Sequence, residues 1–351
     1  MNEAYIRKVI EKAREKYHVP AVSVSIVSSE KILLSIQSGV RVYGTSERVT
    51  REDYFHIGSC SKSILVYIAA KQVERGLLGW DTKFFDLYPE LKKEALEAYH
   101  EITLEDLFLC RAGIKPYTSG DETYPDLSGS ENQQLDFIRY LVQLPPSAKK
   151  TVSGGFEFLY SNAGYAMASA MIERATDLSY QNLIDKYLNK ELELDVFIGW
   201  PNKINIKQPS GHYLNKNNTL EVFGVDSEYS IPSLIEPAGN ISMKPKDFER
   251  YVQLHLCGLT GSSKQLKHDT FKYIDTGHKG FALGVTNGKI LNNSYVCFDG
   301  SAGTFYARGV IIPESDLGLA IMINSGSAKA VEYITMKIAK AFFNWWWMFW
   351  L

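Results

Sequence analysis

Cysteine is scarce in this sequence of 351 residues. The four cysteines are Cys60, Cys110, Cys257 and Cys297, and no two of them form a Cys-x-x-Cys pair. This pattern indicates neither a zinc site nor a dense disulfide framework, so we expect no structural metal. Reduced thiols are the simplest interpretation.

Excess charge of either sign is also missing. The formal net charge is −2, and no long run of lysine or arginine occurs. Proteins that bind nucleic acid through its phosphates carry a basic surface. The composition therefore excludes nucleic acid as an expected partner.

Long apolar runs are absent. The first 16 residues are polar, with helical spacing of a few apolar residues, unlike a secretory signal. We therefore expect a cytoplasmic protein. The aromatic stretch from Phe342 to Leu351 is too short to cross a bilayer, which takes about 20 residues. We expect its first half to pack on the sheet; the alternatives are a homodimer contact or an interfacial membrane anchor.

Short β-branched runs separated by turns lie near both ends of the chain. They predict strands at 21–27, 31–39, 40–44, 281–285, 289–291, 294–298, 305–312 and 317–323. Between them, 87–235 is mostly helical in pattern. We therefore predict a mixed α/β (α+β) fold: an antiparallel β-sheet flanked by helices from residues 1–86 plus 236–351, an inserted all-helical domain at 87–235, and a cleft between them.

A Ser-x-x-Lys pattern opens one of the predicted helices. Apolar residues recur at helical spacing after Lys62, and Gly76 ends the pattern. Residues three apart share one face of a helix, so the Lys62 amine can reach the Ser59 hydroxyl. The free amides and the dipole of the first turn favour an anion there. The local chemistry is that of an activated nucleophile.

The pattern by itself is not specific, because Ser28 with Lys31 and Ser147 with Lys150 also match it and are typical of turns. A second segment supplies candidate partners. Tyr160 and Asn162 lie between a glycine turn and the start of an apolar helix, where side chains can face a cleft. Tyr160 is a candidate proton shuttle, and Asn162 a candidate to hold a substrate amide or Lys62. The alternative is a structural tyrosine followed by a helix-capping Asn162.

Four motifs carry a resemblance that runs from about residue 21 to 325. They are Phe55-x-Ile-Gly-Ser59-x-Ser-Lys62, Ile102-Thr-Leu-x-Asp-Leu with Ala112-Gly113, Tyr160-Ser-Asn162-x-Gly-Tyr, and Pro237-Ala-Gly239. In order and spacing they resemble the serine β-lactamase-related family, which includes class C β-lactamases, penicillin-binding proteins, D-Ala-D-Ala carboxypeptidases, D-aminopeptidases and related esterases. The resemblance implies a β-lactamase/transpeptidase-like fold, Ser59 as nucleophile, Lys62 as general base, Tyr160 as second acid/base and Asn162 as substrate contact. It implies no cofactor.

The third family motif is where the chain departs. Phe298-Asp299-Gly300-Ser301 stands where the family usually has Lys-Thr-Gly or His-x-Gly. Phe298 can neither bind a substrate carboxylate nor shift the pKa of a tyrosine hydroxyl. By resemblance, related esterases also carry an aromatic residue at this position. We expect these four residues to contact substrate, with the Ser301 amide completing an oxyanion hole. Asp299 would favour a cationic ligand if it faced the pocket; the alternative is a solvent-exposed aspartate.

His278-Lys279-Gly280 also fits the third motif, but it lies one predicted strand too early. His278 therefore stays an alternative candidate for a catalytic residue of the third motif.

The leading hypothesis is a serine hydrolase that forms an acyl-enzyme on Ser59 and acts on an ester or amide of a small molecule or short peptide. Because Phe298 stands where the family usually has a cation, we rank esterase or peptidase activity above efficient β-lactamase activity. The alternatives are a penicillin-binding-like protein that is acylated without efficient turnover, and a protein that docks through its tryptophan-rich tail.

Overall fold

The first and last strands of the chain are neighbours in one sheet. A computed structural model describes residues 2–120, 122–152, 154–227, 230–290 and 293–343. Its strands are β1 Ala21–Val27, β2 Ile32–Gly39, β3 Phe55–His56, β4 Val196–Ile198, β5 Gly211–Leu214, β6 Leu220–Phe223, β7 Ile241–Met243, β8 Thr286–Ile290, β9 Asn293–Ser301, β10 Tyr306–Ile312 and β11 Leu317–Ile323.

Eleven α-helices are described. They are α1 Glu3–Tyr17, α2 Ser61–Glu74, α3 Phe84–Leu87, α4 Leu104–Phe108, α5 Gln133–Gln143, α6 Asn162–Thr176, α7 Tyr180–Ile184, α8 Pro201–Ile204, α9 Pro245–Thr260, α10 His268–Thr276 and α11 Ala328–Phe343. A short 3₁₀ turn, Gly58–Cys60, leads directly into α2.

The main sheet has the order β2-β1-β11-β10-β9-β8, and each of its pairs is antiparallel. The chain returns at its end to place β11 beside β1, with Val24 opposite Ile321. All seven residues of β1 are buried, because helices cover both faces of the sheet. The predicted antiparallel sheet flanked by helices is therefore confirmed.

Two apolar clusters form the core. Helices α1 and α11 cover one face of the sheet, where Ile10 and Ile334 pack with Val24 and Ile321. The larger cluster lies on the other face and joins the sheet to α9, α2 and the helices of the middle segment. It includes nearly every apolar residue of α2, so the helix that follows Ser59 is buried on all sides.

The middle segment is not entirely helical. Strands β4, β5 and β6 all lie within 87–235, which corrects the all-helical description of that range. Strand β4 pairs with β7, which also pairs with β3, so the segment is joined to the sequence on both sides of it. Its strands are only three or four residues long, too short for a periodic pattern to indicate them. The division into residues 1–86 plus 236–351 and 87–235 stays a prediction.

Two predicted strands are absent. Residues 40–44 form only an isolated bridge, Val40 to Arg48. Residues 281–285 bend instead of extending, since Gly284 has φ +78° and lies against the backbone of Lys62 and Ser63. Close packing onto the start of α2 prevents a straight strand here.

The expectations for the chain's tail concern residues that are mostly outside the described ranges. Residues 344–351 lie outside the described ranges. Within the described ranges, no helix combines the length and apolar character needed to cross a membrane. The homodimer contact and the membrane anchor therefore stay predictions.

Candidate active site

The serine turn is held by a close contact between two backbones. A Cβ added to Gly58, at φ +51°, would lie 2.6 Å from the carbonyl carbon of Ser301, and one added to Gly300 would lie 2.8 Å from the amide nitrogen of Ser59. Only glycine fits at either position. The contact sets the backbone of Ser301 beside that of Ser59.

Lys62 lies in the first turn of α2, directly beneath the serine. Its Nζ is 3.2 Å from Ser59 Oγ, and donates at 2.7 Å to Asn162 Oδ1 and at 2.8 Å to the Ala238 carbonyl. The side chain is buried, and burial lowers the pKa of its amine to about 7. All three contacts are to uncharged groups, so no carboxylate counteracts this effect. The amine is therefore substantially uncharged near neutral pH.

Tyr160 also contacts the serine. Its hydroxyl interacts with the Ser59 side chain, and its ring centroid is 4.6 Å from Lys62 Nζ. Burial raises the pKa of the Tyr160 hydroxyl above its usual value, and the hydrogen bond with Ser59 opposes this only in part. The hydroxyl is therefore protonated at neutral pH and able to donate.

Asn162 is the first residue of α6, and Ser161 caps that helix by accepting from the Gly164 amide. The cap orients Asn162 towards Lys62. The Asn162 side-chain amide also donates to the Tyr117 carbonyl at 2.7 Å. Both the oxygen and the nitrogen of the side-chain amide are thus bound within the protein. This favours a role for Asn162 in holding Lys62 over a role in binding substrate.

A cleft of about 500 Å³ opens above these groups. Of the predicted site residues, it is lined by Ser59, Tyr160, Asn162 and Ser301. The rest of its described lining is largely aromatic, apolar or small: Tyr117, Thr118, Gly120, Glu122, Tyr124, Ser230, Ile231, Pro232, Ile235, Ala238, Gly239, Ala302 and Gly303.

Phe298 does not line this cleft, which corrects its assignment as a substrate contact. It is fully buried, with its ring centroid 5.9 Å from that of Tyr251 and 4.8 Å from that of His255. Both partners belong to α9, which covers this part of the sheet. Sequence spacing predicts which side chains of β9 share a face of the sheet, but it does not predict which helix covers that face.

Two other third-motif residues are also not among the described lining residues. Gly300 is covered by the serine turn. Asp299 is exposed and forms a bidentate ion pair with Arg308, with contacts of 3.1 and 2.8 Å. Its carboxylate is therefore already matched by a cation and is not positioned to select a ligand.

His278 lies outside the cleft lining too. Its Nε2 is 3.0 Å from Glu105 Oε1, and the same carboxylate accepts from the Tyr273 hydroxyl. These contacts indicate a structural role for His278.

Sequence reasoning missed His56, two residues before Gly58. The ring is fully buried; Nδ1 accepts from the Gly58 amide at 3.1 Å, and Nε2 is 3.2 Å from Asn240 Oδ1. Nδ1 must therefore be unprotonated and Nε2 protonated. Burial lowers the pKa of the imidazole to about 4, although the bond to Asn240 opposes this. No spacing rule indicates this contact, because it depends on the left-handed turn at Gly58.

Known proteins are similar to this chain over most of its length. The chain is 22% identical to Protein flp of Staphylococcus aureus (strain N315) over 351 aligned residues, which cover 96% of the chain but 66% of that protein. The chain thus spans slightly less than two thirds of that relative. It is also 22% identical to penicillin-binding protein 4 of Amycolatopsis lactamdurans, covering 93% of the chain and 86% of the relative.

Solved structures share the fold. The octameric penicillin-binding protein homologue from Pyrococcus abyssi superposes with a TM-score of 0.81 at 20% identity, covering 98% of this chain and 78% of that one. The class C β-lactamase from Rhodobacter sphaeroides has a TM-score of 0.75 at 18% identity, covering 97% and 99%. The family model described as Beta-lactamase matches residues 6–341. The chain therefore belongs to the beta-lactamase family.

Proposed function

We propose that this protein is a serine hydrolase that forms an acyl-enzyme on Ser59 and cleaves an ester or amide bond of a small molecule or short peptide. One observation carries the proposal: the buried Lys62 amine, with a pKa lowered to about 7, lies 3.2 Å from Ser59 Oγ. An amine that is partly uncharged at neutral pH can accept the hydroxyl proton as the serine attacks.

The reaction then has two halves. Ser59 Oγ bonds to the substrate carbonyl carbon as its proton passes to Lys62 Nζ. Collapse of the tetrahedral intermediate breaks the bond to the leaving oxygen or nitrogen, which takes a proton from the Tyr160 hydroxyl, and Tyr160 recovers a proton from Lys62. Water next attacks the Ser59 ester as its proton passes to Lys62 Nζ. When the tetrahedral intermediate collapses, the bond to Ser59 Oγ breaks, the serine oxygen takes that proton back from Lys62, and the acid product leaves.

The carbonyl oxygen becomes negatively charged in both intermediates. The backbone contact between the 58–60 turn and 300–301 supports a role for the amides of Ser59 and Ser301 as its donors. Such preorganised amides typically contribute about 10²–10³-fold to the rate.

Relatives and structural neighbours include penicillin-binding proteins and class C β-lactamases. A cation beside the cleft would help to bind a substrate carboxylate, but Phe298 stands at that motif position and is turned into the core. Esters and neutral amides therefore rank above β-lactams as substrates. The same feature favours the second candidate, a protein that is acylated by penicillin without efficient release.

Intact-protein mass spectrometry separates the candidates. Wild type is incubated with a fluorophosphonate, with a penicillin and with a panel of esters, and Ser59→Ala serves as the control. Covalent label on wild type alone, together with ester turnover, supports the hydrolase. A penicillin adduct that persists without ester turnover supports the second candidate. Absence of label, or equal labelling of the Ser59→Ala variant, contradicts both.

The assembly state is a separate proposal. The Pyrococcus abyssi homologue is octameric, and we propose that this chain also self-associates, with the homodimer as the smallest assembly. Light scattering on the purified protein tests this directly.

A further inference from the structure

Among the cleft residues that the structure describes, the charge comes from one side chain. Among the lining residues that the structure describes, Glu122 is the only one with a charged side chain. It lies in the loop between α4 and α5, on the wall that also contains Tyr117 and Tyr124. The charge of this carboxylate therefore bears directly on which substrates enter.

Backbone amides hold the carboxylate in its ionised form. Oε1 accepts from the amides of Thr118 and Ser119, and Oε2 accepts from the amide of Gly120 at 2.9 Å. Burial opposes ionisation, but these hydrogen bonds outweigh it and lower the pKa of Glu122 to about 2. The bonds also close the 117–120 turn, so Glu122 combines a structural role with a permanent negative charge.

No cation among the described lining residues offsets that charge. Lys115 Nζ lies 5.1 Å from the Tyr117 ring centroid, but Lys115 does not line the cleft. Arg308 is paired with Asp299 and Glu332. Lys62 lies beneath the serine with a pKa of about 7. A substrate carboxylate would thus meet an unbalanced negative charge, whereas a substrate cation would neutralise it.

Aromatic rings add to this preference. The rings of Tyr117 and Tyr124 are 4.7 Å apart between centroids, and both tyrosines line the cleft next to Glu122. Aromatic faces attract ammonium groups through their quadrupole, and the attraction grows where water is partly excluded. A carboxylate beside two tyrosines is a suitable environment for an alkylammonium group.

We propose that Glu122 makes the cleft select ester or amide substrates that carry an ammonium group over those that carry a carboxylate. This inference rests on the proposed hydrolase activity of Ser59 and names the class of substrate for that site. Glu122 acts here as a specificity residue, and the chemistry at the carbonyl remains with Ser59, Lys62 and Tyr160.

The test compares three nitrophenyl esters whose acyl chains have equal length and end in a methyl, a trimethylammonium or a carboxylate group. We expect kcat/KM of wild type to be higher for the ammonium ester than for the carboxylate ester by on the order of tenfold or more at low salt. Glu122→Gln should bring the ratio towards one. Raising the salt concentration should reduce the ratio for wild type, because salt screens charges near the surface.

Two further variants separate charge from folding. Asp126→Asn removes a charge from the same loop, at an exposed carboxylate that accepts from the Ser128 amide and does not line the cleft, and it should leave the ratio unchanged. Glu122→Asp keeps the charge and should keep the direction of the preference even if the turn is looser. The fluorophosphonate should label Ser59 in every variant.

Equal kcat/KM for the charged esters in wild type would overturn the inference. So would a preference for the carboxylate ester, or a ratio that Glu122→Gln does not change. If the fluorophosphonate labels Ser59 in any of these cases, the proposed hydrolase still stands. Absence of both label and turnover in wild type would instead contradict the hydrolase proposal itself, and this inference with it.

Discussion

Lys62 Nζ is closer to Asn162 Oδ1, at 2.7 Å, than to Ser59 Oγ, at 3.2 Å. The amide oxygen thus fixes the direction of the amine without adding a full negative charge next to it. This matters because a carboxylate at the same position would stabilise the protonated amine. The uncharged partner and the burial of Lys62 together keep its pKa near 7.

The first prediction concerns the pH dependence of acylation. If neutral Lys62 is the base, the rate should rise with pH through a midpoint of about 7 in wild type. Asn162→Asp places a carboxylate beside the amine, so its pKa and the midpoint should move upwards, by about 1–3 pH units. Stopped-flow measurement of the rate of fluorophosphonate labelling between pH 5 and pH 10 gives both midpoints.

Asn162→Ala serves as the control for that shift, because it removes the hydrogen bond without adding a charge. Its rate should fall, but its midpoint should not move upwards. A wild-type rate that does not change with pH would contradict the role of Lys62 as base.

The second prediction concerns His56, which holds the amide of Gly58 from beneath the serine turn. His56→Leu leaves that buried donor unpaired, at a cost of about 1–3 kcal/mol in the free energy of unfolding. Displacement of the nucleophile should lower kcat by on the order of 10–10²-fold and change KM less. His56→Asn, whose side-chain oxygen can accept from the same amide, should recover part of kcat. Equal kcat for both variants would indicate a purely structural role.

The third prediction concerns Phe298. Restoring the family's cation with Phe298→Lys should not create a carboxylate site, because the side chain points towards Tyr251 and His255 under α9. An unpaired buried charge should instead lower the free energy of unfolding by about 3–5 kcal/mol. Denaturant unfolding measures the loss, and Phe298→Leu should be milder. A stable Phe298→Lys variant that hydrolyses penicillin faster than wild type would contradict this placement.

The fourth prediction concerns Gly300, the residue before the proposed second oxyanion donor. A methyl group there would lie 2.0 Å from the Ile57 carbonyl oxygen, so the strand and the serine turn must move apart. Gly300→Ala should reduce kcat for esters by about 10²-fold or more, the typical effect of losing one oxyanion donor. Gly224→Ala, where nothing lies within 4 Å of an added Cβ, should retain activity within a small factor. Steady-state kinetics on both variants is the measurement.

Much of the sheet could be predicted from the sequence because its strands are short, alternating and bounded by turns. The predictions for 21–27 and 317–323 coincide with β1 and β11. Residues 281–285 carry the same apolar pattern but bend at Gly284, where the backbone meets the start of α2. Such a contact joins residues more than 200 positions apart, and a local pattern cannot contain it.

The sequence by itself determined the spacing of Ser59 and Lys62 where α2 begins, the segment that carries Tyr160 and Asn162, and the family to which the chain belongs. These follow from local periodicity and from motif order, which are properties of the chain alone.

Only the tertiary structure decided how the cleft is charged. Burial sets the pKa of Lys62, the packing of α9 turns Phe298 into the core, and a backbone turn fixes the charge of Glu122 on the cleft wall. Each effect depends on which groups replace water around a side chain. That is settled by packing between distant segments of the chain and not by the spacing of residues within one of them.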